Sequence, residues 1–146
     1  MGTPMATHLL TAGVPLIVWN RTASKMEPLL RQGATAAQSP AQLASQADVV
    51  VTMVARSQDV EAVVLGPEGV ASGVQPGAVL IDMSTVSPTT SRRLADAVMA
   101  RHAEFLDAPV VGSKGPATEG TLVMLVGGSS TILERCRPIL TAMGKT

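Results

Sequence analysis

The chain has 146 residues, 46% hydrophobic and 15% charged, with 11 basic and 11 acidic side chains and a formal net charge of zero. That length suits one domain, residues 1–146, with its own core, and the balanced charge gives no electrostatic reason to expect nucleic acid or an anionic membrane as partner. Cys136 is the single cysteine, which excludes an intrachain disulfide and a thiolate metal cluster, and no apolar run approaches the ~20 residues of a bilayer span. Trp19 and Phe105 are the only aromatic residues, so the core must be built from Val, Leu, Ala and Met. Without a signal-peptide pattern at its start, and with one thiol, the chain is expected to be cytoplasmic.

Thr3-Pro4 reads as an N-cap followed by proline at the start of a helix, with Met5, Leu9 and Leu10 on one face and Gly13 as its stop. A strand over 15–19 ends in Asn20-Arg21-Thr22, and a helix over about 24–32 is limited at its start by Pro28. Residues 34–37 suit a short edge strand, and Ser39-Pro40 starts a helix to about Gln46. The run Val49–Val54 is apolar on both faces, as a buried parallel strand requires. Ser57 reads as the cap of a helix through Val64, and 70–73 as one further turn. A strand over Ala78–Asp82, a helix from Ser87-Pro88 to about Arg101 and a strand over 104–108 follow. Residues 109–120 read as a loop, 121–126 as a strand that can run antiparallel at one edge, and 130–142 as a helix. This alternation predicts an α/β fold with a Rossmann-like, doubly wound, mostly parallel sheet. The opening order of helix, strand and polar fork is the second half of a nucleotide-binding βαβ unit, so the sheet is expected to be incomplete at its N-terminus.

In such sheets ligands bind beyond the carboxyl ends of the strands, and four of those ends carry polar residues. Asn20-Arg21-Thr22 offers donors where a carboxylate would select the ribose diol of NAD, so Arg21 suits the 2′-phosphate of NADP(H); the plain alternative is an exposed arginine in a turn. Val54-Ala55-Arg56-Ser57 reads either as a cofactor-wrapping loop or as a helix cap with a solvated arginine. Ser84-Thr85 reads either as a contact to the nicotinamide ribose or as capping, with Asp82 structural. In the Pro109–Gly115 segment, Ser113, Lys114 and backbone N–H groups suit a carboxylate, against the alternative of a surface loop. His8 and His102 read as surface residues. No metal site and no Ser-His-Asp or paired-carboxylate pattern appears.

Four segments together resemble the β-hydroxyacid dehydrogenase family: Met1–Ala6, Val18–Thr22, Ile81–Pro88 and Asp107–Val110. The family is 3-hydroxyisobutyrate dehydrogenase-like, with 6-phosphogluconate dehydrogenase more distant, and Gly112-Ser113-Lys114 with Gly120-Thr121-Leu122 is closest in flavour to its glyoxylate/succinic semialdehyde reductase branch. The resemblance implies that Met1-Gly2 ends a Gly-x-Gly-x-x-Gly turn and that the helix start near Gly2 binds phosphate through backbone N–H groups. It implies cofactor contacts at Gly2, Asn20, Arg21, Thr22, Val54, Ala55 and Thr85, in the pattern that prefers NADP over NAD. It places the substrate carboxylate at Val111, Gly112 and Ser113, where this chain lacks the family's usual Ser-Gly-Gly. It also implies a general-acid lysine and a helical, dimer-building domain further along than Thr146, so neither Lys114 nor Lys145 is assigned as catalytic. The expected reaction is hydride transfer between NADP(H) and a short hydroxyacid or its semialdehyde, in a homo-oligomer when full length. The other reading is a non-catalytic dinucleotide-binding or oligomerisation module, or an inactive fragment.

Overall fold

The computed structural model describes all 146 residues. In chain order the elements are α1 (Gly2–Thr11), β1 (Ile17–Val18), a 3₁₀ turn (Ala23–Met26), α2 (Glu27–Leu30), β2 (Thr35–Ala36), α3 (Pro40–Ala44), β3 (Val49–Thr52), α4 (Ser57–Leu65) and α5 (Val70–Gly73). They continue as β4 (Val79–Asp82), α6 (Pro88–Met99), β5 (Glu104–Asp107), β6 (Val110–Val111), α7 (Lys114–Glu119), β7 (Leu122–Met124), β8 (Gly127–Gly128), α8 (Ser130–Met143) and β9 (Gly144–Lys145).

The main sheet runs β3-β4-β5-β8, parallel throughout except for β8 at its edge. Its register aligns Thr52 with Asp82 and Asp82 with Asp107, so three polar side chains stand in one row at the carboxyl ends. β4 lies between two parallel neighbours, and all four of its residues are buried. Strand alternation divides them. Val79 and Ile81 join Met5, Leu9, Ala117, Leu122 and Leu140 on one face, while Leu80 joins Val60, Val64, Leu94 and Val98 on the other. Helices cover both faces, which is why the β4 run is apolar without alternation.

β1 and β2 form a separate parallel pair. Leu16 of the β1 segment and Val49 and Val51 of β3 pack against the same apolar cluster, yet no hydrogen bond joins the two strands. The Leu16 and Val18 carbonyls face β2, accepting from the Thr35 and Ala37 N–H groups, so the intervening Ile17 turns its backbone toward β3. The parallel sheet is therefore interrupted between β1 and β3.

Several expectations hold. Ser39 and Ser87 cap their helices, accepting from the Gln42 and Thr90 N–H groups. Others are corrected. Thr3 is not a cap: α1 already includes Gly2, and Pro4 falls in the first turn, where a missing N–H costs nothing. Ser57 is the first residue of α4, and its Oγ accepts from the Ser87 N–H instead. The 24–32 segment splits into a 3₁₀ turn and α2, because Pro28 admits a helix only in its first turn. The 109–120 segment is not all loop, since it holds β6 and α7. There Pro116 falls in the first helical turn and Gly120, at φ 68°, stops the helix in the left-handed region. The 121–126 strand is shorter, and it pairs antiparallel with β6 in a third sheet that also holds β9.

Candidate cofactor cleft

A cleft of about 340 Å³ lies at the start of α1, lined by Met1, Gly2, Lys25, Met53, Val54 and Ala55. Three of the expected cofactor residues, Gly2, Val54 and Ala55, thus come together. α1 has no side-chain cap and no acid in its first turn. The Gly2 and Thr3 N–H groups precede any intrahelical acceptor, so they remain donors at the positive end of a ten-residue helix. A Cβ on Gly2 would meet nothing nearer than the Met53 carbonyl oxygen at 4.0 Å, so the helix start stands open toward the β3 end. Unpaired N–H groups at a helix start beside an open cleft fit a diphosphate.

The wall beyond β3 is tied to the β4 end by hydrogen bonds from Thr52 and Val54. The Val54 N–H donates to Ser84 Oγ at 3.0 Å, which defines a structural role for Ser84 that sequence left between capping and cofactor contact. Thr52 Oγ1 donates to Asp82 Oδ1 at 2.7 Å, and the Ser84 N–H reaches the same oxygen at 3.2 Å. Asp82 is fully buried, and its Oδ2 has no partner. Burial pushes the Asp82 carboxyl above its ordinary value; the Thr52 and Ser84 bonds oppose this, and Asp107 adds to it. Asp82 is structural, as expected. Thr85, next in the chain, is exposed.

At the end of β1, Asn20 Oδ1 accepts from the Thr22 N–H at 2.9 Å. This local turn spends the side-chain acceptor on shape and leaves Arg21 projecting, with its side chain 82% exposed. Its nearest carboxylate is Asp59 of α4, at 3.7 Å. Asp59 is already held by Arg56, whose Nε and Nη2 donate to it at 3.0 and 3.3 Å. The Arg56 bond holds the Asp59 carboxyl below the usual range, with Arg21 adding to the effect, and Asp59 raises Arg56 in turn. Arg56 occupies the N-cap position of α4 without a side-chain capping bond, and its exposed side chain is tied to Asp59. It shares that carboxylate with Arg21, and the cluster keeps a surplus positive charge. Sequence reading missed both Asp59 and Lys25. The Arg21–Asp59 pairing joins the β1 end to the first turn of α4, far apart in sequence, and Lys25 reaches the cleft from a 3₁₀ turn that the pattern did not distinguish from a helix.

Val111, the last residue of β6, and the Gly112-Ser113 turn after it do not line the cleft. All three residues are exposed. Gly112 has φ 137°, and a Cβ there would meet Leu122 Cδ2 at 2.9 Å, so this turn requires glycine. A second cleft of about 430 Å³, lined by Val74, Gln75, Pro76, Ala100, Arg101 and His102, lies at the amino ends of β4 and β5, the opposite end from the ligand side of a doubly wound sheet. His102 is exposed, as expected, but His8 is half-buried and bonded to the backbone of α7, which corrects its reading as a surface residue.

Comparison with known proteins agrees with this geometry. A family described as the NAD binding domain of 6-phosphogluconate dehydrogenase matches residues 1–146. The cytokine-like nuclear factor N-PAC of Xenopus tropicalis is 39% identical over 146 residues, covering 100% of this chain and 27% of that protein. An NAD-dependent L-serine dehydrogenase of Pseudomonas aeruginosa is 41% identical, covering 99% of this chain and 49% of the enzyme. The solved structure of Psf3 in complex with NADP+ and 2-OPP superposes with a TM-score of 0.94 at 30% identity, covering 100% of this chain and 52% of the other. The chain thus spans about half the length of the dehydrogenase it matches, or less in the case of N-PAC. From its motifs, its strand-end cleft and this full-length match, the chain belongs to the family of the NAD binding domain of 6-phosphogluconate dehydrogenase, within the β-hydroxyacid dehydrogenase group.

Proposed function

We propose that residues 1–146 are the cofactor-binding domain of an NADP-dependent β-hydroxyacid dehydrogenase or semialdehyde reductase. The observation that carries this is the β1 end: Arg21 is exposed, 3.7 Å from Asp59 of α4, and that carboxylate is already engaged by Arg56. A guanidinium so placed suits a 2′-phosphate through paired, charge-assisted bonds. Lys25, in the cleft wall, adds a second cation. The Psf3 complex with NADP+ supports this choice, whereas the NAD-dependent L-serine dehydrogenase shows that both cofactors serve relatives of this chain.

In this reading the Gly2 and Thr3 N–H groups hold the diphosphate, Arg21 and Lys25 the adenosine phosphate, and Asn20 and Thr22 the shape of the turn. Val54, Ala55 and Thr85 flank the ribose and nicotinamide side. The bound dinucleotide supplies the hydride. The Val111–Ser113 turn receives the carboxylate of a short hydroxyacid or semialdehyde, with Ser113 and backbone N–H groups as donors. The proton moves through a lysine outside residues 1–146, so these residues alone lack turnover. We further propose a cytoplasmic setting and a homo-oligomer built by a helical domain outside this region. A dinucleotide-binding module without catalysis is the second reading, favoured by the 39% identity to a relative named as a nuclear factor.

Calorimetric titration with NADP+ and NAD+ tests the cofactor reading. NADP+ is expected to bind the unmodified chain more tightly, and Arg21→Ala to weaken NADP+ by roughly 10–100-fold, the worth of a charge-assisted pair, while NAD+ changes little. Equal loss of both, or tighter NAD+ binding from the start, refutes it.

A further inference from the structure

We infer that His8 is a positioning residue, whose imidazole ties the carboxyl end of α7 to α1 and so fixes the Gly112–Lys114 turn relative to the helix start at Gly2. α7 is six residues long and ends at Gly120 in the left-handed region. The Gly120 and Thr121 N–H groups both turn back to the Pro116 carbonyl. The Ala117 and Thr118 carbonyls are left without a backbone donor, and His8 Nε2 supplies one, donating to them at 3.1 and 3.0 Å. This fixes the proton on Nε2.

The ring also fills the space over Gly120. A Cβ there would come within 3.1 Å of His8 Cε1, so the histidine and the glycine are a matched pair. Because α7 is only about 9 Å long, a tie at one end sets the other. That other end begins at Ser113, directly after the φ 137° glycine. One imidazole thus joins the helix that opens onto the cofactor cleft to the helix that carries the substrate turn. Its catalytic relevance rests on the reading of that turn given above; the tie itself does not.

Amide hydrogen exchange on the whole chain, without cofactor, tests the tie separately from that reading. In His8→Leu, the Ala117 and Thr121 amides, which bond Ser113 and Pro116, are expected to exchange about tenfold faster, the factor one lost hydrogen bond gives. The Leu80 and Ile81 amides stay slow. His8→Gln, whose carboxamide nitrogen reaches as far as Nε2, restores wild-type exchange, and ¹⁵N spectra of the wild type show Nε2 protonated. Unchanged exchange in His8→Leu, no rescue by His8→Gln, or a bare Nε2 overturns the inference. The NADP+ and NAD+ titrations judge the functional reading independently.

Discussion

Asp82→Asn should change the pH dependence of stability in a direction set by the burial of the wild-type carboxyl. Asp82 is fully buried, one oxygen takes both available donors, and the other takes none. Its carboxyl stands above the ordinary 3.8, chiefly through burial. The folded state therefore binds this proton more tightly than the unfolded chain does. As pH rises from 3.8 through the folded value, the unfolded chain gives up its proton first, so stability falls across that window. Each unit of elevation corresponds to about 1.4 kcal/mol. Asparagine keeps the acceptor for Thr52 and Ser84 but cannot ionise. The asparagine amide leaves two N–H donors without partners where a protonated carboxyl leaves one O–H, so the two proteins differ from this source by an offset that does not change with pH. As pH rises above 3.8 through the folded value, only the wild type loses stability to this group, so Asp82→Asn should gain stability relative to it across that window. Urea unfolding of both proteins across this range measures the difference, from which the shared titration of Asp59 and Glu134 cancels. A difference that is flat with pH, or that favours the wild type increasingly as pH rises, refutes the reasoning.

Two other outcomes follow from local geometry. Asp59→Asn removes the carboxylate that competes for Arg21 at 3.7 Å, so NADP+ should bind more tightly with NAD+ unchanged in the same calorimetric titration. Gly73→Ala drives a Cβ into the Ala41 carbonyl where α5 packs on α3, a backbone clash that should lower stability by about 1–3 kcal/mol in urea unfolding.

The layered architecture was readable because its strongest elements carry their own punctuation. β3 and β4 are unbroken apolar runs, and the Ser-Pro pairs at 39–40 and 87–88 both cap and start helices. α7 was hidden because its glycines and Pro116 are loop residues by composition, and only their positions at the first turn and the stop make them helix signals. At the site, Gly2, Val54 and Ala55 were legible as strand-end and helix-start positions. The His8 tie spans 109 residues and the Arg21–Asp59 pair joins the β1 end to helix α4, so no local spacing encodes either contact.

Amide chemical-shift mapping compares the two dinucleotides at the β1 end most directly. NADP+ and NAD+ should both shift Gly2, Thr3 and Val54, and subtracting one pattern from the other should leave a difference concentrated at Asn20–Thr22 and Lys25. A difference map that is empty there, or centred on the Val74–Pro76 cleft at the other end of the sheet, contradicts the account.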